Sequence, residues 1–388
     1  MNFVALKMLV GDRAKYIGIV VGLTFASLLI TQQLAIFTGL MSRTFGAITD
    51  LAQPDVWVMD EKVQFIDDIK PLQSTELYRV RGVSGVEWAV PLYKGLLKAR
   101  LSNGTFQTVN LYGLDDATLI GGPPTMVQGQ LGDLRRSEGV IVDEVGARTR
   151  LARPSATPGE PPTPLQIGDT LELNDHRAVV VGICRVQRTF QSQPVVYTTF
   201  SRATQYAPRE RKLLSFVLVG CKKGEDAHEV CERIHAATGL AAVTREDFQW
   251  QTVRYFLKYT GIPVNFGIAV ALGFLVGTVI AGQTFHNFTL DNLKQFGALK
   301  AMGVPNRGIL WMIVLQALLV GSIGYGLGVG LTAIFFITTG NITHLAGLHL
   351  TWAALLGTGA AVIVIVVATS VVSARRVLVL EPAVVFRG

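Results

Sequence analysis

The chain has 388 residues, 49% of them apolar and only 16% charged, with a formal net charge of +7 and a mean hydropathy of +0.40. That balance is unusual for a single soluble domain and makes a membrane component the first expectation. The basic residues gather at the ends of apolar runs and not along an aromatic-interleaved face, so the charge does not point to nucleic acid.

Residues 1–15, with Lys7, Arg13 and Lys15, form a basic, amphipathic lead-in. Residues 16–42 carry no formal charge between Lys15 and Arg43. A helix rising 1.5 Å per residue needs roughly 20 apolar residues to cross a hydrocarbon core, so this run is the first expected span. It is too long for the apolar part of a cleaved secretory signal.

Residues 43–258 form a large insert that reads as mixed α and β. Short apolar or alternating runs predict strands at 55–59, 95–101, 105–112, 139–142, 170–173, 178–186 and 214–219. Asn103-Gly104 supplies a hairpin turn between two of them. Helical spacing predicts helices over 66–80 and 225–238, the latter with Ala227, Val230, Ile234 and Ala237 in step. The proline-rich stretch 154–164 excludes helix and central strand and predicts an exposed loop. Asp247 to Lys258 runs on towards the second span as a helical stalk. The three cysteines, Cys184, Cys221 and Cys231, all lie in the insert; one Cys221–Cys231 bridge and buried free thiols both stand as readings.

Residues 259–285 form the second span, and 286–308 a short polar loop. No Asp, Glu, Lys or Arg occurs from Gly308 to Ala374, about three times the length of one crossing. The run therefore predicts a hairpin of two spans, 309–337 and 351–373, joined by 338–350, where Gly340, Asn341 and His344 break the apolar pattern. Residues 374–388 form the tail.

If the spans alternate, the lead-in, the 286–308 loop and the tail share one side. That side holds nine Lys and Arg against Asp12, Asp291 and Glu381, six of the seven net charges. The positive-inside rule then places both termini and that loop in the cytoplasm, in the bacterial inner membrane, and the insert outside.

No GxSxG elbow, HExxH pair or GxxxxGK[ST] loop occurs in the sequence, so no catalytic, cofactor or metal residue is expected on this chain. Gly324, Gly326, Gly328 and Gly330 lie inside an uncharged span, where they read as helix-packing positions and not as a nucleotide fingerprint. Gln32, Gln33, Asn265 and Gln316 are uncharged polar residues within the spans and can hydrogen-bond a neighbouring helix. None is ionisable, which argues against a proton- or ion-coupled carrier.

The loop DNLKQFGALKAMGVPNRGIL, 291–310, holds Leu293, Phe296, Leu299 and Met302 at about helical spacing, with Gly303 and Pro305 as the stop. By itself this is an interfacial amphipathic helix. Its run Gln295-Phe296-Gly297-Ala298-Leu299-Lys300-Ala301-Met302-Gly303 resembles the EIGxLKAxG loop of FtsX-like, MacB-class ABC transporter permeases, with Gln295 where the family form has an acid. The lead-in ALKMLVGDRAKYIGIVVG, the insert segments GVSGVEWAVPLY and GDTLELNDHRAVVVGI, and the tail RRVLVLEPAVVFRG are similar to the same class, and most of all to its separate-subunit DevC and HrtB types.

The expected fold is thus a polytopic α-helical membrane protein of four transmembrane helices, with an α+β extracytoplasmic domain inserted between helices 1 and 2. The resemblance implies a permease homodimer in the lipid bilayer, bound to two copies of a separate ATP-binding subunit that holds the ATP and magnesium. It allows a periplasmic adaptor protein as a further partner. It implies contact with that subunit through Leu293, Gln295, Phe296, Gly297, Leu299, Lys300, Met302 and Gly303, and export or efflux by mechanotransmission. The alternative is a regulator that uses the same movement to activate a cell-wall hydrolase or sensor.

Overall fold

The computed structural model describes residues 2–11, 13–154, 161–208, 213–340 and 348–379. Part of the proline-rich stretch, the centre of the 338–350 loop and most of the tail therefore lie outside the described residues. The chain divides into two compact units, residues 1–40 with 261–388, and residues 41–260.

Among the described residues, the secondary structure of the first unit is all helical. Four of its helices are long and apolar enough to cross a membrane: α2 (Arg13–Thr44), α9 (Ile262–Asp291), α11 (Asn306–Thr339) and α12 (Trp352–Val379). Two shorter helices, α1 (Asn2–Gly11) and α10 (Leu293–Ala301), complete it. A proline at the start of α9 costs nothing, because the first-turn N–H groups have no partner inside the helix. The outward surfaces keep Val21, Leu272, Val279, Ile334 and Val372 exposed, as lipid-facing positions should be. The core is Leu23, Phe285, Phe288, Val320 and Ile365 among others.

The second unit is the inserted α/β domain, built on ten strands in the order β10-β1-β9-β2-β3-β8-β5-β7-β4, with β6 beside β2 and β7. In chain order these are β1 (Val56–Met59), β2 (Val86–Arg100), β3 (Phe106–Leu114), β4 (Thr125–Gln128), β5 (Gly139–Asp143), β6 (Thr170–Leu173), β7 (His176–Arg185), β8 (Val195–Thr199), β9 (Phe216–Cys221) and β10 (Ala241–Thr244). The 15-residue β2 joins two halves: Val86 to Leu92 pair with β9, and Tyr93 to Arg100 with β3. β3 with β8 and β5 with β7 are parallel, the other pairs antiparallel. Gly220 lets β2 and β9 close up, since a Cβ there would sit 2.2 Å from the Trp88 ring.

Helices α4 (Ser74–Arg81) and α7 (Ala227–Thr238) cover one face of the first half through Val80, Val230 and Ile234. α3 (Gly46–Asp50), α5 (Glu144–Arg148), α6 (Phe200–Tyr206) and α8 (Arg245–Tyr259) complete the domain. The opposite face is centred on Trp57, whose ring lies 5.5 Å from Phe216 and 5.4 Å from Phe248 of α8. α8 begins on Thr244, whose hydroxyl accepts the Asp247 N–H.

The helix expected over 66–80 is replaced by an irregular segment followed by the short α4. Pro71 disfavours helical backbone at Lys70. Leu72 instead exchanges two backbone hydrogen bonds with Leu214, at 2.8 and 3.1 Å, and Asp67 turns to pair with Lys94 of β2. At the base of the proline-rich loop, Arg153 and Thr163 exchange two backbone hydrogen bonds of 2.8 Å. All three cysteines are free, and burial pushes their thiols up, to about 11 for Cys221 and about 12 for Cys231.

Asp50, at the end of α3, is buried and accepts the Gln187 backbone N–H at 2.9 Å. Burial raises its carboxyl to about 6, against a partial opposing pull from that hydrogen bond. The folded form therefore binds the proton more tightly than the unfolded form. The benefit is complete below about pH 4, the unfolded value, and is lost as pH rises through about 6. Asp50→Asn is expected to remove this slope and to stabilise the domain by about 1–2 kcal/mol at neutral pH, read as apparent Tm between about pH 4 and 8; an unchanged slope would refute the assignment.

Candidate coupling interface

The connection from α9 to α11 is a tight double turn around α10. α9 ends at Asp291, which pairs with Lys15 of α2. Asn292 is buried, and its side-chain amide donates to the Phe288 carbonyl at 2.8 Å, tying off one of the helix's last carbonyls. α10 closes at Met302 and Gly303. Gly303 has φ +90°, a conformation that costs an L side chain energy, and its N–H reaches Lys300 O at 3.0 Å while Val304 N–H reaches Leu299 O at 3.1 Å.

One face of α10 is packed down. Phe296 is fully buried against Ile309 and Ile313 of α11 and Ala374 and Val377 of α12, with Leu293, Leu299 and Met8 of α1 around it. Gly297 is buried beside it, and Lys300 lies flat, its ammonium donating to Val377 O at 3.2 Å. The other face is open: Gln295 and Gly303 are exposed, and Met302 is 73% exposed. Thus the eight residues expected at the contact divide into a fixed face (Leu293, Phe296, Gly297, Leu299, Lys300) and a free one (Gln295, Met302, Gly303). Lys294, Ala301 and Arg307, which the motif did not single out, are exposed as well.

α1 is held to the same base. Gln316, buried in α11, donates its amide N–H to the Ala5 carbonyl at 2.6 Å, a bond that is favoured where no water competes.

The spans meet through glycines and hydroxyls. A Cβ on Gly324 would lie 2.7 Å from Leu23 Cβ, and one on Gly328 2.6 Å from Ser27 Cβ and 2.8 Å from the Leu28 nitrogen, so α2 and α11 touch at backbone distance. Gly326 and Gly330 have nothing within 4 Å and stand outside this seam. The structure adds contacts that the sequence pattern missed: Gly277 of α9 against Ala26, Gly321 of α11 against Val366, and Gly22 of α2 against Ile280. Ser27 Oγ donates to Tyr325 O at 3.3 Å, Thr31 Oγ1 to Thr358 Oγ1 at 3.1 Å, and Tyr325 OH to Leu355 O at 3.1 Å, linking α2, α11 and α12. Among the described residues no His, Cys, Asp and Glu cluster could hold a metal ion.

Two family models match the chain: the MacB-like periplasmic core domain over residues 17–237 and the FtsX-like permease C-terminal domain over residues 250–382. The chain belongs to the FtsX-like, MacB-type family of ABC transporter permeases. It is 25% identical over 325 residues to an uncharacterised ABC transporter permease of Mycobacterium tuberculosis, covering 82% of this chain and 80% of that one. It is 28% identical over 165 residues to an uncharacterised ABC transporter permease of Methanocaldococcus jannaschii, covering 41% of each. Its fold is similar to the periplasmic region of MacB from Actinobacillus actinomycetemcomitans, with 17% identity, a TM-score of 0.37, and 55% of this chain and 96% of that one covered. Membership makes this a membrane protein and implies an ATP-binding partner subunit.

The packing separates the glycines sharply. Gly328→Leu is expected to force α2 and α11 apart and to cost about 1–3 kcal/mol or more, seen as loss of monodisperse protein after extraction. Gly326→Leu is expected to leave the extracted protein unchanged, and equal behaviour of the two variants would contradict the seam.

Proposed function

We propose that the chain is the non-catalytic permease subunit of an ABC-type export complex, coupling ATP hydrolysis on a separate subunit to movement of its inserted domain. The carrying observation is the two-sided α10: Phe296 fastens it into the base of α11 and α12, while Gln295 and Met302 stand free. A partner that grips the free face would load the bundle directly, because the fixed face leaves α10 no slack.

In this reading both termini and α10 lie in the cytoplasm, on the side that carries the excess of Lys and Arg. The complex contains two permease copies and two ATP-binding subunits in the bacterial inner membrane. ATP and magnesium belong to the partner, since this sequence has no glycine–lysine phosphate loop. The spans hold no Asp, Glu, Lys or Arg between Gly308 and Ala374, so an ion gradient finds no charged relay there. Work must then enter through α10 and leave through the inserted domain, which is mechanotransmission: a coupling free energy between two distant sites.

Met302→Asp places a charge at the centre of the free face without touching the Phe296 cluster. It is expected to reduce co-purification of the ATP-binding subunit by about tenfold or more, the cost of a lost contact hot spot, with membrane insertion intact. Undiminished co-purification would remove the docking assignment.

A further inference from the structure

Residues 60–73 run as an irregular strap across the inserted domain, and their contacts reach both halves of its sheet. Two roots lie in the first half. Gln251 of α8 donates its amide N–H to the Val63 carbonyl at 2.8 Å, and the Phe65 ring stacks on Tyr255 of α8 with centroids 4.3 Å apart. α8 itself packs on this half through Phe248 and Trp57. At the other end Leu72 is bonded to Leu214, just before the start of β9. Between the roots Asp68 is occupied inside the strap, accepting the Gln64 N–H at 3.1 Å and pairing with Lys70 at 2.7 Å. Its neighbour Asp67 reaches across to Lys94.

Lys94 stands at the crossover of the sheet. β2 is paired with β9 up to Leu92 and with β3 from Tyr93 on, so Lys94 belongs to the second half, opposite Tyr112. Its ammonium lies 5.6 Å from the Tyr112 ring centroid. Where the ladder changes partner, the Ser215 hydroxyl accepts the Lys94 N–H at 2.8 Å and donates to the Lys94 carbonyl at 2.9 Å. The Lys94 side chain is 2% exposed, while that of Asp67 is 49% exposed. A buried ammonium whose carboxylate partner faces water is a poor device for stability alone, because an apolar side chain of similar volume would pack there without the cost of desolvation. It is a strong device for selecting one arrangement. With Asp67 in place the cation is compensated; with Asp67 withdrawn it is buried and unpaired, or must turn out to water. The site therefore favours two discrete states.

We propose that the strap is a latch between the two halves of the sheet, fastened by the Lys94–Asp67 pair. Fastened, it ties α8 and the β9 half to the β3 half, and the domain moves as one body. Released, the β3 half pivots about Leu92 and Tyr93, where the ladder to β9 ends and the ladder to β3 begins. The strap then stays with the first half, held by Val63 and Phe65 on α8 and by Leu72. The latch lies wholly within the inserted domain, so it stands or falls apart from any contact at α10.

The test is the distance between spin labels on unnatural side chains at Lys223, in the turn after β9, and Asn103, in the turn between β2 and β3, both exposed. It is measured in the extracted full chain diluted with unlabelled copies. The unsubstituted chain is expected to give one narrow distribution. Asp67→Asn is expected to broaden it and to speed hydrogen exchange over residues 62–70 about tenfold or more, with α7 protected as before. Because Asp67→Asn strands a buried cation and can unfold the domain, the double variant Asp67→Asn, Lys94→Met removes the charge together with its partner. It is expected to melt as the unsubstituted chain does and still to show the broadened distribution. A double variant that melts normally and keeps the narrow distribution overturns the latch and leaves the pair a local structural contact. A double variant that no longer folds overturns it too, since the pair would then be part of the fold itself. So does a broad distribution in the unsubstituted chain, or exchange over residues 62–70 that neither variant alters.

Discussion

The burial of Phe296 is the contact on which the rest turns. A fully buried phenylalanine ring contributes about 1.5–3 kcal/mol relative to its exposed state, and this one ends among Ile309, Ile313, Ala374 and Val377. It joins the first turns of α11 to the last turns of α12 through a helix that belongs to neither. Without it α10 would be an interfacial helix on a hinge. With it, α10 is tied to two spans at once, which is what the proposed coupling requires.

Beyond that base, the spans are held together by close contacts with little room to rearrange. Backbone approach at Gly324 and Gly328 leaves no side chain to rearrange between α11 and α2. The hydroxyl links from Ser27, Thr31 and Tyr325 fix rotation as well as separation, since in an apolar medium such groups find few alternative partners. Close-packed interfaces of this kind shift between discrete arrangements and do not deform smoothly, which is what a transmission element needs. The inserted domain has a matching feature: the single strand β2 runs through both halves of its sheet, so a displacement of one half is carried to the other by covalent chain.

Much of this was legible in the residues. The absence of charge from Gly308 to Ala374 demanded two spans, because a bilayer has one thickness and a helix one rise per residue. Other features depended on partners distant in sequence. The 66–80 segment has helical spacing, yet Leu72 found a backbone partner in Leu214 and Asp67 found Lys94, neither visible locally. The strand Val195–Thr199 follows a proline and is buried on both faces, so it offered no alternation to read. For α10 the apolar spacing was plain, but which side would be buried was decided by α11 and α12. The glycine series is different: two residues turn a helix by about 200°, so Gly324 with Gly328 and Gly326 with Gly330 had to lie on opposite faces, but both pairs are four residues apart, and which of them packs was decided by α2.

The most direct measurement is the distance between spin labels at Asn103 of the two inserted domains in the assembled complex, with and without ATP trapped on the partner. The expected result is a nucleotide-dependent change in the unsubstituted chain that vanishes in Phe296→Ala while the partner still co-purifies. A change that persists in Phe296→Ala, or none in the unsubstituted chain, would contradict a lever anchored by that ring.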